Sequence, residues 1–417
     1  MQHGNGMGRR HRRTAMSVIG LAAAAVALAA CSSGPSPTGT NAGDPLGAAQ
    51  QQDASQPRAA TPSPADPVTV SFTPNAGKNV NPTTPVVVKA SHGTLSSVTM
   101  VNTVRGTHVT GDFSADHTTW TSNEALGYGA TYSVTAVAAN GGDKPVTQQT
   151  TVSTLKPAKV AYPNMIPAPS SVSSIGVGQP VVFQFDQPVA NKKAVQNALT
   201  VHTTPAQPGA WYWISDRQVD YRGETFWQAG TTINVTAKVY GLDFGDGVYG
   251  AEDRQVTFHV HDAWIAKADG HTEKMNIYDN GKLVKTMPIS MGKQATPTKV
   301  GVHVISSRNQ KVQMNSCTYG VCPPDPRAYN ETEYWAERIS NSGEFVHENP
   351  ATVGAQGSTN VSHGCINLSE ANAKWFFSHL GIGDVVEVTN SGGPKMPIWD
   401  MYGDWAVSWS TWQAGNA

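Results

Sequence analysis

The sequence predicts a mainly β protein, and three observations support this prediction. Short runs that alternate between apolar and polar residues recur along most of the chain, separated by Gly, Asn, Asp and Pro, which is typical of antiparallel strands. One such pattern is repeated, because residues 129–136 and 230–237 both read Gly-x-Thr-x-x-Val-Thr-Ala. Charged residues make up 14% of the 417 residues, against about 25% in typical soluble domains. This low fraction favours a β-rich exported protein over a helical cytosolic one.

The first 31 residues have the features of a bacterial lipoprotein signal peptide. Four arginines within residues 9–13 precede an uncharged run, residues 16–30, which is too short to span a bilayer because a spanning helix needs about 20 residues. Cys31 follows the small residues Ala29 and Ala30. We therefore expect Cys31 to be lipidated and to anchor the mature protein to the outer face of the cytoplasmic membrane, in the periplasm or cell wall. An ordinary cleaved signal peptide is the alternative.

Residues 32–66 are predicted to be a disordered tether. They are rich in Ser, Pro, Gly, Ala, Gln and Thr, and no aromatic residue occurs in the chain before Phe72. Beyond the tether, a repeat near 100 residues matches the size of one immunoglobulin-like (Ig-like) sandwich. The sequence therefore predicts a first Ig-like domain at residues 67–156 and a second at residues 157–261.

A third, β-rich domain is predicted at residues 262–391. Asn280-Gly281 supplies the positive φ that a tight hairpin turn requires, and Ser369 is placed to cap the main helix of the domain. Residues 392–417 form a C-terminal extension that holds four of the eleven tryptophans. Because so much apolar area is rarely left in water, we expect the extension to pack on the third domain. A carbohydrate-stacking surface is the alternative.

Three of the four cysteines have explanations other than catalysis. Cys31 belongs to the predicted signal. Cys317 and Cys322 lie in one Gly-containing loop of a chain predicted to be exported, so a disulfide is the favoured interpretation. Two free thiols, or half of a metal site, are the alternatives. Cys365 remains as the unpaired thiol.

Residues 362–367, Ser-His-Gly-Cys-Ile-Asn, have the residue types that acyl transfer through a thiol requires. A cysteine with an ordinary pKa of about 8.5 needs a base or an electropositive site to hold it as thiolate, and His347 and His363 are the candidates. Gly364 leaves the backbone uncrowded, so that consecutive N–H groups are able to face a developing oxyanion. The motif predicts a catalytic nucleophile at Cys365.

These residues resemble the signature of the L,D-transpeptidases with a YkuD-type catalytic domain, specifically the actinobacterial lipoprotein members with two Ig-like domains. The signature is a His followed by Ser/Thr-His-Gly-Cys-x-Asn, matched here by His347 and residues 362–367. Residues 290–292 and 296–297 resemble the earlier Gly and Thr-Pro motif of the family. The resemblance implies two Ig-like β-sandwich domains, a YkuD-type β-rich catalytic domain with one main helix, and cross-linking of peptidoglycan.

The resemblance also implies roles for individual residues. Cys365 would attack the third-residue carbonyl of a tetrapeptide stem and release D-alanine, with His347 as general base and acid. An amine of diaminopimelate on a second stem would then attack the acyl-enzyme and form a 3→3 cross-link. His363 would shape the loop, and the N–H groups of Gly364 and Cys365 would be oxyanion donors. The residues expected to contact substrate are Tyr319, Tyr329, Ser342, Gly343 and Asn367. Carbapenem-type β-lactams are expected to capture the thiol covalently.

Other functions stay open at this point. Water in place of the acceptor amine would make the site an L,D-carboxypeptidase, and the Ig-like domains could belong to a non-catalytic cell-wall-binding protein. His347, His363 and Cys365 could together ligate zinc, as such residue sets do in zinc enzymes. A net charge of −1 and the lack of a basic stripe beyond the signal argue against nucleic-acid binding.

No cofactor is expected to be required for catalysis. Asp243, Asp246 and Gly247 lie in a Gly-rich segment and offer hard oxygen ligands that a structural Ca²⁺ could use. An Asx-rich hairpin turn is the favoured interpretation of the same residues.

Overall fold

The computed structural model describes residues 66–141 and 144–417. The predicted signal with Cys31, and all of the predicted tether except its last residue, lie outside the described residues. The described part of the chain is mainly β with few helices, and the predicted fold class is confirmed. No helix in that part has the length and apolar character needed to cross a membrane.

Residues 69–153 form the first of two β-sandwiches. Its strands are β1 (Thr69–Thr73), β2 (Val87–Ser91), β3 (Thr94–Asn102), β4 (His108–Val109), β5 (Gly111–Phe113), β6 (Thr119–Ser122), β7 (Thr131–Ala139) and β8 (Val146–Ser153). They pair in two sheets, with orders β1-β2-β6-β5 and β4-β3-β7-β8. The sequence alternation produces the core, because every second side chain of β7, including Tyr132 and Val134, is buried between the sheets.

Residues 159–260 form the second sandwich. Its elements are β9 (Lys159–Ala161), β10 (Pro163–Ile166), β11 (Ser174–Ile175), β12 (Val181–Phe185), α1 (Lys192–Asn197), β13 (Leu199–Thr204), β14 (Gly209–Trp213), β15 (Gln218–Gly223), β16 (Thr232–Ala237), β17 (Asp243–Gly245), β18 (Val248–Gly250) and β19 (Arg254–Val260). The sheets have orders β10-β12-β15-β14, β11-β19-β16-β13 and β17-β18-β9, and β14 is an edge strand. Phe183, Phe185 and Phe244 fill the core.

Residues 264–389 form the third domain. Its elements are β20 (Trp264–Asp269), β21 (Lys274–Asp279), β22 (Lys282–Pro288), β23 (Gly301–Val304), β24 (Ser307–Asn315), β25 (Asn330–Arg338), β26 (Phe345–Glu348), β27 (Ile366–Leu368), α2 (Glu370–His379) and β28 (Val385–Thr389). The sheet orders are β22-β21-β20-β28-β23 and β24-β25-β26-β27. Helix α2 begins after Ser369, whose hydroxyl accepts from the Asn372 N–H as predicted. Its residues Ala373 and Phe376 join a core that both sheets share.

The C-terminal extension contacts two domains. Tyr402 packs with Val304 of the third domain and Val182 of the second sandwich. Helix α3 (Trp409–Ala414) packs against β14, and the Trp412 Nε1 donates to the carbonyl of Ala210 at 2.8 Å. The predicted packing of the extension on the third domain is present. The contact with the second sandwich was not predicted, and it is made by tryptophans that surround a buried cation of that sandwich.

That cation is Arg222 of β15, which is 2% exposed. Its guanidinium lies 4.8, 5.6 and 4.5 Å from the ring centroids of Trp405, Trp409 and Trp412. It also donates to the carbonyl of Val407 at 2.7 Å. Cation–π contacts are strongest when desolvated, so this cluster fastens the extension to the second sandwich.

Two buried carboxyl groups meet beside this cluster. Asp220 of β15 and Asp404 of the 3-10 helix Gly403–Ala406 are both almost completely buried and lie close enough to repel each other as carboxylates. Burial raises the pKa of both groups, and that of Asp404 to about 6. Two neighbouring carboxylates are unfavourable in a buried site, so the folded state favours protonation of the pair.

The raised pKa of Asp404 predicts a pH dependence of stability. Because the folded pKa of Asp404 exceeds its unfolded value of 3.8, the contribution is complete below pH 3.8 and is lost as the pH rises through about 6. In Asp404→Asn, an amide can donate to Asp220 without a titrating proton. We expect the melting temperature, followed by calorimetry from pH 5 to pH 8, to fall less in this variant than in the native chain. An equal fall in both proteins would contradict the prediction.

Candidate active site

Two parallel strands bring the predicted nucleophile and its base together. His347 lies on β26 and Cys365 directly precedes β27, and the register pairs Val346 with Ile366 and His347 with Asn367. Because the strands are neighbours, the side chains of His347 and Cys365 lie close enough together for the sulfur to raise the pKa of the imidazole. Both residues are nearly buried, with exposures of 4% and 8%.

The imidazole of His347 has two acceptors at Nδ1. Nδ1 donates to the backbone carbonyl of Glu348 at 2.7 Å, and Oε2 of Glu333 lies 3.2 Å away. Burial alone would lower the pKa of His347, but its hydrogen bonds to Cys365 and Glu333 and their charges raise it to about 10. An imidazolium beside a thiol favours the thiolate, which is the reactive form of cysteine. The Glu348 carbonyl, as the shorter contact of Nδ1, orients the His347 ring.

Ser362 organises the loop that leads to Cys365. Its hydroxyl donates to the Cys365 carbonyl at 2.6 Å and accepts from the Gly364 N–H at 3.0 Å. Gly364 has a φ of 126°, a conformation that would strain any side chain. The Gly364 N–H, an expected oxyanion donor, is thus engaged inside the loop. No hydrogen bond from the Cys365 N–H is found among the described residues, which leaves this N–H free to act as a donor.

A second loop, residues 290–298, supports the loop of Cys365. Thr298 donates its hydroxyl to the Gly364 carbonyl at 2.8 Å and accepts from the Gly292 N–H at 2.9 Å. Gly292 is required at this position because a Cβ would lie 2.2 Å from the Thr296 carbonyl oxygen. The motif resemblance pointed to Gly292 and Thr296. It missed Thr298, although this residue directly follows the Thr-Pro pair.

A network of buried charges lies beside the turn that precedes β26. Glu344 is 3.5 Å from the Lys299 ammonium and 3.4 Å from the His303 ring, and Lys299 is 3.4 Å from Asp400 of the C-terminal extension. Burial would raise the pKa of Glu344, but His303 and Lys299 lower it. The members come from three separate parts of the chain, so sequence reasoning could not assemble them.

The turn Ser342-Gly343, predicted to face substrate, makes two kinds of contact. The Gly343 carbonyl accepts a weak hydrogen bond from the Cys365 sulfur at 3.7 Å. The Ser342 hydroxyl donates to Asp400, and its N–H donates to the same carboxylate at 3.0 Å. Ser342 is therefore bound to the C-terminal extension, and neither residue of the turn lines the cavity described next.

A cavity of about 580 Å³ opens beside Cys365. Five of the predicted site residues line it: His347, His363, Cys365, Asn367 and Tyr329. The ring of Tyr329 stacks on that of His363, with centroids 5.7 Å apart. The volume is within the range of pockets that bind small molecules or part of a peptide.

His363 and Asn367 differ in what they offer to a ligand. The Nε2 of His363 accepts from the Lys293 ammonium at 3.2 Å, and burial together with the Lys293 charge lowers the pKa of His363. Asn367 donates from Nδ2 to Thr352 at 3.2 Å, whereas its Oδ1 is buried with no hydrogen-bond partner in the described part of the chain. A buried acceptor without a partner is costly unless water or a ligand supplies a donor.

The hairpin of β24 and β25, which contributes Met314 and Glu333 to the lining of the cavity, forms a lid over the site. The loop between its strands holds the 3-10 helix Ser316–Tyr319, which contains Cys317 and Tyr319, and Cys322 follows this helix. These two cysteines form a disulfide with Cα atoms 4.5 Å apart, which confirms the predicted pairing. The closed ring restricts the conformations that the tip of the lid can adopt.

Asp243, Asp246 and Gly247 form a hairpin turn between β17 and β18. Asp243 Oδ1 accepts from the Gly245 N–H at 2.8 Å, and Asp246 and Gly247 have positive φ values of 54° and 72°. Within residues 66–141 and 144–417, no group of three or more His, Cys, Asp or Glu side chains is arranged to hold a metal ion. These contacts fit the Asx-rich turn and give no support to a calcium or zinc site.

Comparison with known proteins gives consistent matches. The Bacterial Ig domain model matches residues 77–243, and the YkuD L,D-transpeptidase catalytic domain model matches residues 264–388. The chain is 43% identical to L,D-transpeptidase 2 of Mycobacterium tuberculosis over 333 residues, covering 80% of this chain and 81% of that protein. It is 35% identical to L,D-transpeptidase 5 of the same species over 351 residues, covering 82% and 75%. A solved structure of LdtMt1 with imipenem is 32% identical, covers 54% of this chain and 99% of that chain, and has a TM-score of 0.48.

A buried Cys–His pair beside a cavity is the arrangement of an enzyme that uses nucleophilic catalysis. The sequence identity to the relatives, and the share of each chain that it covers, define a family within this class of enzymes. The chain belongs to the L,D-transpeptidase family. The resemblance to YkuD-type L,D-transpeptidases that carry Ig-like domains is confirmed.

Proposed function

We propose that the protein forms 3→3 cross-links in peptidoglycan, with Cys365 as its nucleophile. The observation that carries this proposal is that Cys365 and His347, brought together by neighbouring strands, both line the wall of the cavity. Membership of the L,D-transpeptidase family supports the reaction class. The acyl donor would be a tetrapeptide stem, and the acceptor would be a stem with a free diaminopimelate amine.

In the first half-reaction, the Cys365 thiolate attacks the carbonyl carbon of the third stem residue. The Cys365 N–H stabilises the oxyanion of the tetrahedral intermediate. His347 is an imidazolium at neutral pH because of its raised pKa of about 10. It gives its proton to the nitrogen of D-alanine as the C–N bond breaks. D-alanine leaves with that proton, and the stem remains on Cys365 as a thioester.

In the second half-reaction, His347 is neutral and acts as a base. It takes a proton from the diaminopimelate amine as the amine nitrogen attacks the thioester carbonyl. The C–S bond breaks, an amide forms between the two stems, and the sulfur of Cys365 leaves as thiolate. The thiolate and imidazolium are thereby restored for the next donor.

Other residues would hold the donor stem in place. Tyr329 and Asn367 line the cavity, and the open Oδ1 of Asn367 could accept from an amide N–H of the stem. Gly343 would contribute backbone contacts next to the sulfur. Substrate contacts at Ser342 and Tyr319 stay predictions.

Incubation with a disaccharide-tetrapeptide, followed by mass spectrometry of the products, tests the proposal. Cross-linking gives a dimer whose mass is that of two substrates minus one free D-alanine. Trimmed tripeptide without dimer would favour the L,D-carboxypeptidase, in which water attacks the thioester. No product from a folded chain would favour a cell-wall-binding protein.

The site of action would be outside the cytoplasm, with the protein anchored in the membrane through a lipid on Cys31. The Arg-rich start and the uncharged run before Cys31 support this proposal. The two sandwiches would then lie between the anchor and the active site along the chain.

A further inference from the structure

Glu333 makes a contact that the proposed reaction leaves without a role. It lies on β25 and lines the same cavity as Cys365, and its side chain is 12% exposed. Its Oε2 is 3.2 Å from Nδ1 of His347. We infer that Glu333 is a positioning residue whose carboxylate, as the second acceptor for the His347 Nδ1 proton, holds the ring as the cationic partner of Cys365. The inference rests on the proposed function.

The register of the sheet explains why the two side chains meet. β25 and β26 are antiparallel neighbours, and Tyr334 pairs with Glu348. Side chains alternate between the two faces of a strand, so the residues that precede this pair, Glu333 and His347, both project from the other face. The regular ladder is interrupted between Tyr334 and Glu337. Such irregularities are common next to active sites, where they redirect side chains.

The two acceptors of Nδ1 act differently on the ring. The Glu348 carbonyl makes the shorter contact, 2.7 Å against 3.2 Å, and is sufficient to fix the tautomer. It carries only a partial charge, whereas a carboxylate carries a full one. Inside a site where His347 is 4% exposed, a neighbouring anion strongly favours the protonated ring. Glu333 is therefore an anion that, together with Cys365, favours the protonated ring, and the Glu348 carbonyl is the group that sets the orientation of the ring.

The other charged groups near His347 do not replace Glu333. Cys365 faces the ring as its reaction partner, and its sulfur carries no negative charge while it is held as a thioester. Burial and the charge of Glu370 raise the pKa of the Glu348 side chain, whereas the positive charge of Lys374 lowers it. Once Cys365 is acylated, Glu333 remains as the anion hydrogen-bonded to the ring.

The substitution Glu333→Gln removes the negative charge but keeps nearly the same side-chain shape, and the amide oxygen can still accept from Nδ1. The measurement is the NMR titration of the His347 ring in the full chain with Cys365→Ala, where no thiol titrates. We expect the His347 midpoint to fall by about 1 to 3 pH units in Glu333→Gln. Glu331→Gln is the matched control, since Glu331 lies on the same strand and lines the same cavity. It should leave the midpoint unchanged.

Kinetics with intact Cys365 give a second measurement. Glu333→Gln should lower kcat about tenfold with little change in KM, because the contact serves proton transfer rather than substrate binding. Glu333→Asp retains the charge and should recover part of the loss. An unshifted His347 titration in Glu333→Gln would overturn the inference, and this readout needs no turnover. A shifted titration without any cross-linking would uphold the role of Glu333 and refute the proposed function instead.

Discussion

Cys365→Ala is expected to abolish both cross-linking and covalent capture of carbapenems. Turnover of the disaccharide-tetrapeptide should fall at least about 10⁴-fold, because the thioester route is lost and only binding and oxyanion stabilisation remain. A carbapenem is opened when the thiolate attacks its lactam carbonyl, so the adduct retains all atoms of the inhibitor. Intact-protein mass spectrometry should therefore show the full inhibitor mass added to the native chain and none added to the variant.

The fold should tolerate this substitution. Cys365 packs in a small cluster with Met314, Ala336 and Phe345, and alanine removes only one sulfur atom from it. A melting temperature within a few degrees of the native value would show that the loss is chemical. The chain with Cys317→Ser and Cys322→Ser is the matched control, since it loses two cysteines and should still form the adduct. An adduct or turnover retained in Cys365→Ala would contradict the assignment of the nucleophile.

Arg222→Met is expected to destabilise the protein by about 3–5 kcal/mol, the usual cost of breaking a buried charged contact. The guanidinium stacks on three tryptophans and donates to the carbonyls of Gly223 and Val407. Methionine keeps most of the apolar stem but none of the donors or the charge. Asp404 would also lose the favourable electrostatic interaction with the Arg222 charge. Urea unfolding followed by tryptophan fluorescence measures the effect, because the affected rings report on the same contact.

Arg217→Met provides the comparison for this prediction. Arg217 is an exposed residue of the same sandwich and donates to the Asp186 carbonyl at 2.9 Å. Its replacement should change the free energy of unfolding by less than about 1 kcal/mol, since exposed contacts contribute little. Equal effects of the two substitutions would show that the cation–π cluster adds no stability. Activity in Arg222→Met should persist at temperatures where the variant stays folded.

Local features of the sequence predicted local features of the structure. The Asn280-Gly281 turn adopts positive φ at both residues, 48° and 81°, because this backbone requirement is met within two positions. Ser369 caps α2 for the same reason, since a cap acts over three residues. The proximity of His347 and Cys365 was predicted from the family signature, which contains both residues. Hydrophobic periodicity carries no information on contacts between residues so far apart in the sequence.

Contacts between distant segments were not predictable from the residues alone. Thr298, Glu344 and Asp400 support the site from loops and from the C-terminal extension, and none of them carries a local signal. Glu333 was not identified because an acidic residue on an alternating strand usually faces solvent. Its role depends on the register of β25 against β26, which only the folded sheet defines. The contact of the extension with the second sandwich was not predicted. Arg222, which the tryptophans surround, lies in a strand that no sequence motif marks.

The packing of α3 on β14 has a consequence for solubility. β14 is the last strand of its sheet, and the amide of Asn416 accepts from the Trp213 N–H at 2.7 Å and donates to its carbonyl at 2.8 Å, as a neighbouring strand would. Open sheet borders with aromatic side chains recruit other chains by strand addition. The final residues thus occupy backbone groups of the edge strand that another strand would otherwise bind. Their removal would expose this edge, and we expect the shortened chain to aggregate.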